Sequence, residues 1–323
     1  MALDWRFPLI AALWLAAAAG ANAQPAYPTR PGKIIVPVTA GGAPDIAARL
    51  LAEQLSEVLG QPFVVENRAG SNGNIGMDLV AKSPADGHTL ALGADSFLVV
   101  NPHVYTRMPF DPLKDLVAIA SVASNQFIIS VNPKVPAKTL AEFVAFAKTQ
   151  NPPLSYASGG NGSQHQLAME DLKGRAGINL LHVPYKGATP AVTATIAGET
   201  AVLFSGSASA PHFRSGALRP LAVSGAKVPP MFPDLPRVAD TYPGFDVTIW
   251  LGLFAPAATP APIVERLYKT VRQIMDKPGF AEKLNISGSL EPLILTREAF
   301  DERIRADYER YGAIVKKIGV KLD

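Results

Sequence analysis

The 323-residue chain contains no cysteine. That excludes disulfides, thiolate-bound zinc, iron–sulfur clusters and a thiol nucleophile. It also suits an oxidising compartment, where a stray thiol is a liability. Charge is scarce: charged residues make up 18% and the net charge is only +3, with no cluster of Lys and Arg. A nucleic-acid partner is therefore not expected. The histidines, at 88, 103, 165, 182 and 212, are dispersed without metal-ligand spacing. There is no Gly-x-x-x-x-Gly-Lys-Ser/Thr phosphate loop, no Gly-x-Ser-x-Gly elbow and no His-Glu-x-x-His. Gly70, Gly73 and Gly76 stand three apart, which is not the dinucleotide fingerprint. No metal, cofactor or catalytic residue is expected from these patterns. Distant residues can still assemble a triad, so an extracytoplasmic hydrolase stays open as a minor reading.

What is present is apolar material. Hydrophobic residues are 48% of the chain, enough for a sizeable core. The length suggests two domains, at roughly 100–200 residues each. The first 23 residues read as an export signal. Arg6 precedes an apolar stretch of 13 residues from Phe7 to Ala19, shorter than the roughly 20 needed to cross a bilayer. Ala21 and Ala23 flank Asn22 and predict cleavage before Gln24. Trp5 and Trp14 leave with that segment, so Trp250 is the single Trp of the expected periplasmic protein.

Short apolar runs bounded by Gly and Pro predict strands over 33–38, 62–66 and 89–93. Helices are expected over 44–59, stopped by Gly60, and over 75–82. This alternation is the pattern of a parallel sheet with covering helices, an α/β fold. A second such unit starts after residue 125. Strands are expected over 127–131 and 154–157, and Thr139 with Glu142 spells a capping box. A Gly-rich run over 158–163 leads into a helix from about Gln164. Further strands are expected over 178–183, 201–204, 218–223 and 247–254. Two helices close the chain. One carries Ile263, Leu267, Val271 and Ile274. The other carries Phe300, Ile304, Tyr308, Tyr311, Val315 and Ile318, with Gly319 placed as its C′ residue.

Two strand–loop–helix junctions have the composition of anion sites. Thr39-Ala40-Gly41-Gly42-Ala43-Pro44-Asp45 is one, and Ser158-Gly159-Gly160-Asn161-Gly162-Ser163-Gln164 is the other. Glycines let backbone N–H groups turn toward one point at the positive end of a helix. Neither loop contains Lys or Arg, which fits a small carboxylate held reversibly better than a polyphosphate. The same glycines also serve a tight turn with no ligand. Two further loops can join a pocket beyond the strand ends. One is Ala94-Asp95-Ser96 and the other Ser205-Gly206-Ser207. Asp45 and Asp95 each have an alternative reading as a helix N-cap, and His165 as a support for its loop.

The blocks Tyr27-Pro28-Thr29-Arg30-Pro31, Gly41 to Arg49, Gly60 to Arg68, Pro84-Ala85-Asp86-Gly87, Asn161 to His165 and His182 to Gly187 resemble the Bug receptors. These are the periplasmic substrate-binding proteins of tripartite tricarboxylate transporters. The resemblance runs in order along the mature chain. It implies a two-lobed Venus-flytrap α/β protein with a ligand cleft between lobes, and a membrane permease of two integral subunits as partner. A co-receptor for a membrane sensor kinase is the alternative. It implies a first lobe of 24–124 plus 248–323 and a second of 125–247. It places a ligand carboxylate against Gly42, Ala43 and Asp45 on one lobe and Ser158, Asn161, Gly162 and Ser163 on the other. With the loop readings, the expected ligand set adds Thr39, Gly41, Asp95, Ser96, Gln164, Gly206 and Ser207. Asp95 departs from the small hydroxyl residues common at its place. It is expected to face a donor or cationic group of the ligand, because it would repel a second carboxylate. Trp250 is expected near the returning crossover, where its fluorescence would report closure.

Overall fold

The computed structural model describes residues 27–322 apart from 207–208 and 289. The export segment and Ser207 lie outside the described residues.

The first strand–helix unit forms where the apolar periodicity puts it. Strand β1 is Gly32–Val36 and helix α1 is Ala43–Leu59. Pro44 sits in the first turn of α1, where its missing N–H costs no hydrogen bond. Gly60 takes a left-handed conformation (φ 70°) and donates its N–H to Ser56 O, closing the helix. Strand β2 (Phe63–Asn67), helix α2 (Asn74–Ala81) and strand β3 (Thr89–Ala94) follow. A π-helical turn at Ser96–Val100 then runs into the short helix α3 (Asn101–Val104). Strands β1, β2 and β3 are parallel.

Strand β4 is Leu116–Val131, far longer than the expected 127–131. Its first half is rich in Ala and Ser, which have little β-propensity. That half is a strand because it lies against β9 (Thr248–Pro256), with which it pairs antiparallel over nearly its whole length. The second unit comprises helix α4 (Leu140–Thr149), β5 (Ser155–Ser158), α5 (Gln164–Ala176), β6 (Leu181–Pro184), α6 (Ala188–Ala197), β7 (Val202–Gly206), α7 (Ala210–Arg214), β8 (Arg219–Val223) and α8 (Val238–Thr241). After β9 come α9 (Ala261–Met275), α10 (Phe280–Gly288), the short strand β10 (Glu291–Pro292) and α11 (Arg297–Ile318). Thr139 caps α4 through Glu142 N as expected. Glu142, however, turns to Lys138 N rather than to the cap residue.

The strands run in the order β2-β1-β3-β9-β4-β7-β5-β6, with β8 and β10 also on β4. The parallel arrangement expected for the first unit is found, but the sheet as a whole is mixed. Two parallel sets, β2-β1-β3 and β6-β5-β7, are joined through the antiparallel strands β9 and β4. Two large apolar clusters follow this division. One runs from Tyr27 to Ala123 and resumes at Trp250, taking in Leu167 of α5 as well. The other runs from Phe127 to Val247. The chain crosses between clusters on β4 and again at the start of β9, giving a two-lobed α/β fold with a cleft between the lobes.

Candidate functional site

A cavity of about 300 Å³ opens where the two clusters meet. The first residues of three helices line it: Ala43 and Pro44 of α1, Gln164 and His165 of α5, and Ala188 of α6. Each helix leaves its first N–H groups without an intrahelical acceptor and carries the positive end of its dipole there. The crossover strands form the floor. Asn125 and Phe127 come from β4, and Ile249 and Leu251 from β9. The spacing of two places both members of each pair on one face. Trp250 therefore faces the other way, is fully buried and packs on Phe254 and Phe300. Among the described residues the lining holds no Asp, Glu, Lys or Arg. His165 packs against Phe127 with the rings tilted by 40° and their centroids 4.5 Å apart. Burial pushes its imidazole down to about 4, so it is neutral at pH 7. An anion here would meet N–H dipoles and neutral side chains, with no fixed cation.

The structure separates the expected site residues into two groups. Ala43, Ser96, Ser163 and Gln164 line the cavity. Thr39 and Gly41 are exposed on the α1 loop and stay outside the lining, as do Gly42, Asn161 and Gly206. Asp45 is buried and holds its own loop. It accepts from Gly41 N at 2.9 Å, from Asn67 Nδ2 at 2.9 Å and from Arg49 Nε at 3.0 Å. Burial opposes its ionisation, but these donors together keep the carboxyl below its ordinary range. Gly162 is buried at a left-handed φ of 72°. A Cβ there would lie 2.7 Å from Val104 Cγ1, so only glycine lets this loop seat against α3.

Ser158 is fully buried behind the cavity and supports the Gly-rich loop. Its Oγ lies 2.6 Å from His182 Nε2, the spacing of a nucleophile and its base. The wiring runs in the opposite sense. Gly162 N donates to Gln166 Oε1 at 2.7 Å, which turns the Gln166 amide nitrogen toward His182 Nδ1 at 3.2 Å. Nδ1 is then an acceptor, and Nε2 carries the proton and donates it to Ser158. Ser158 in turn donates to Gly160 O and accepts from Gly160 N, both at 3.1 Å.

Asp95 is 0% exposed and lies outside the cavity lining, where direct ligand contact was expected of it. Its Oδ1 accepts from Ser96 N at 2.8 Å, the cap reading. Its Oδ2 accepts from Gln164 Nε2 at 2.6 Å, a bond that joins the end of β3 to the start of α5. Burial is the main reason its carboxyl is pushed up to about 7. The Gln164 bond opposes that shift, the charge of Asp307 adds to it, and Ser96 N and Arg310 oppose it. Sequence reading missed Asn72, Phe97, Asn125, Phe127, Gly187, Ile249, Leu251 and Leu290 in the lining. Asn125, Phe127, Ile249 and Leu251 are brought in by the long-range pairing of β4 with β9. Gly187 comes in as the residue before α6.

The sequence profile of the tripartite tricarboxylate transporter family receptor matches residues 47–320. The chain belongs to this family. Proteins of the family are solute-binding receptors. The protein BugT of Bordetella pertussis (strain Tohama I) is 34% identical over 299 residues, which is 92% of this chain and 91% of BugT. The solved structure of R. palustris Rpa4515 with adipate superposes with a TM-score of 0.83 at 33% identity, covering 91% of this chain and 99% of that one. MatC from Rhodopseudomonas palustris with bound malate gives a TM-score of 0.77 at 27% identity, covering 90% of this chain and 100% of that one. The receptor-family fold accounts for the mixed sheet and for the cleft between lobes. The uncharged lining and the Asp95–Gln164 bond are read from this chain's own residues.

Proposed function

We propose that this receptor captures a small carboxylate-bearing solute in the cavity between its lobes and hands it to a membrane permease of two integral subunits. The observation that carries the reading is the convergence of three helix N-termini on a cavity without a charged side chain. Such a site attracts an anion by backbone N–H groups and dipoles. It also releases the anion readily, because no buried ion pair has to break. Adipate and malate in the two solved relatives support the same ligand class. Ala43, Ser96, Ser163 and Gln164, with Asn72, Asn125 and His165, are the proposed contacts. The division of the core into two apolar clusters, Leu167 apart, supports lobes of 24–124 plus 248–323 and of 125–247, with a hinge on β4 and β9 as part of the proposal. The signal-like first 23 residues support a periplasmic location. The proton held on His182 and donated to Ser158 argues against a serine nucleophile, so the ligand is expected to leave unchanged.

A thermal-shift screen of ligand-stripped protein tests this. The panel holds dicarboxylates, citrate, acidic amino acids, aromatic carboxylates and nicotinamides. A ligand at about 1,000 times its Kd adds about 4 kcal/mol of stability, a rise of several degrees. A carboxylate class that raises Tm, while the matching esters do not, supports the proposal. Equal shifts by esters and acids overturn it.

A further inference from the structure

The cavity wall has a fixed polarity at Gln164. The Gln164 side chain has one donor end and one acceptor end. Its Nε2 is committed to Asp95 Oδ2 at 2.6 Å, and Gln164 lines the cavity. Its Oε1 meets no hydrogen-bond donor among the described residues and is not among the fully buried unpartnered atoms. An ionised Asp95 offers acceptors only, so the amide cannot turn round. The other Asp95 oxygen is held by Ser96 N at 2.8 Å.

We infer that Asp95 acts as a positioning residue that points the Gln164 carbonyl into the cavity. The receptor thereby selects, among carboxylates, ligands that carry an N–H donor at that point. The inference rests on the carboxylate reading above and names the substrate class within it. The three helix N-termini take the carboxylate, and Gln164 Oε1 takes the donor. A ligand with a carbonyl in that position sets oxygen against oxygen. Such a mismatch leaves buried polar groups unpaired, and sites of this kind discriminate far more strongly than apolar ones.

Replacing Asp95 by Asn inverts the wall without changing its volume. Asparagine has a single acceptor oxygen, and Ser96 N–H claims it. The Asn Nδ2 then faces Gln164 and can be met only by Gln164 Oε1. Gln164 turns over and presents N–H to the cavity. A merely structural role for Asp95 predicts no such reversal.

The experiment is calorimetry on matched dicarboxylates of three lengths, each bare, with an amino group, or with a keto group at the same carbon. These are succinate, aspartate and oxaloacetate; glutarate, glutamate and 2-oxoglutarate; and adipate, 2-aminoadipate and 2-oxoadipate. Hydroxy acids are omitted because a hydroxyl both donates and accepts. Measurements are made at pH 8.5, above the value of about 7 to which burial pushes Asp95. The groups that act on Asp95 there are Gln164, Ser96 N–H, Asp307, Arg310 and the hydroxyl of Tyr311. In the length that binds best, the amino member is expected to bind at least about 10-fold tighter than the keto member. Asp95→Asn is expected to remove or reverse that ratio, and Gln164→Met to bring it to about 1, with melting curves confirming that each variant is folded. A ratio near 1 in the natural sequence, a keto preference, or a ratio unmoved by Asp95→Asn overturns the inference while leaving the carboxylate reading intact. Silence from the whole series overturns the inference, while the carboxylate reading stands or falls separately on the thermal-shift panel.

Discussion

Trp250 Nε1 donates to Asp307 Oδ2 at 2.8 Å, tying the crossover strand β9 to the C-terminal helix α11. Asp307 also accepts from Arg303 Nε at 2.6 Å and pairs with Arg310 at 3.0 Å. One carboxylate thus accepts from an indole and a guanidinium group at the back of the cavity floor and balances the charge of a second guanidinium, whose Nη1 donates to Asp246 O. Asp307→Ala leaves Trp250 and Arg303 without this acceptor and Arg310 without its counter-charge. The expected cost is about 2–4 kcal/mol, less than for a fully buried network because both arginines are about a third exposed. Urea unfolding followed by Trp250 emission in a protein lacking residues 1–23 measures it. A loss below about 0.5 kcal/mol would contradict this role. Because Trp250 faces away from the cavity, ligand should change its emission little. That revises the expectation that it would report closure.

The Ser158–His182 pair yields a prediction of opposite kind to a catalytic one. Ser158→Ala removes the acceptor of the His182 proton and of Gly160 N. It should lower stability by about 1–3 kcal/mol and loosen ligand binding through the loop. Hydrolysis of an activated ester such as p-nitrophenyl acetate should be the same in both proteins. A rate in the natural sequence that disappears in Ser158→Ala would restore the hydrolase reading.

Asp95 and His165 titrate with opposite effects on stability. The folded Asp95 carboxyl is raised from 3.8 to about 7, so between those values the folded state holds a proton the unfolded chain has lost. Stability falls as pH rises through that window, by up to about 4 kcal/mol in all. His165 is lowered from 6.5 to about 4, so the unfolded chain binds the extra proton and stability falls as pH drops through that window. That loss is up to about 3 kcal/mol. Between pH 4 and 6.5 the two nearly cancel. Asp95→Asn should therefore expose a stability that rises with pH across this range relative to the natural protein, and His165→Gln one that falls. Denaturant titrations of the ligand-free proteins at several pH values read both slopes, and parallel profiles for all three proteins would refute the assignment.

Local chemistry made much of the frame legible. Gly60 and Gly319 mark helix ends, both in the left-handed conformation that a C′ residue takes. Ser163 caps α5 and lies in the cavity wall, where the Gly-rich run pointed. The early half of β4 was not legible because its Ala and Ser favour no strand. Its structure comes from β9, more than a hundred residues away in sequence. Helix α6 was missed because Ala and Thr give it no apolar stripe. At the site, polarity alone suggested that Asp95 would reach the ligand. Its burial behind Gln164 depends on the approach of α5 to β3, which no local pattern encodes.

The central claim is that the helix N-termini hold an anion with no cation to help. Ala43→Asp tests it most directly. Ala43 stands in the first turn of α1 and lines the cavity. A carboxylate there suits the helix dipole, so the fold should keep or gain stability, while the new charge repels an anionic ligand. Calorimetry with the carboxylate that gives the largest thermal shift should show Kd weakened by at least about 10-fold, on the order of 1.4 kcal/mol, with Tm unreduced in the absence of ligand. An unchanged Kd in a folded Ala43→Asp protein would place the carboxylate elsewhere and contradict the account.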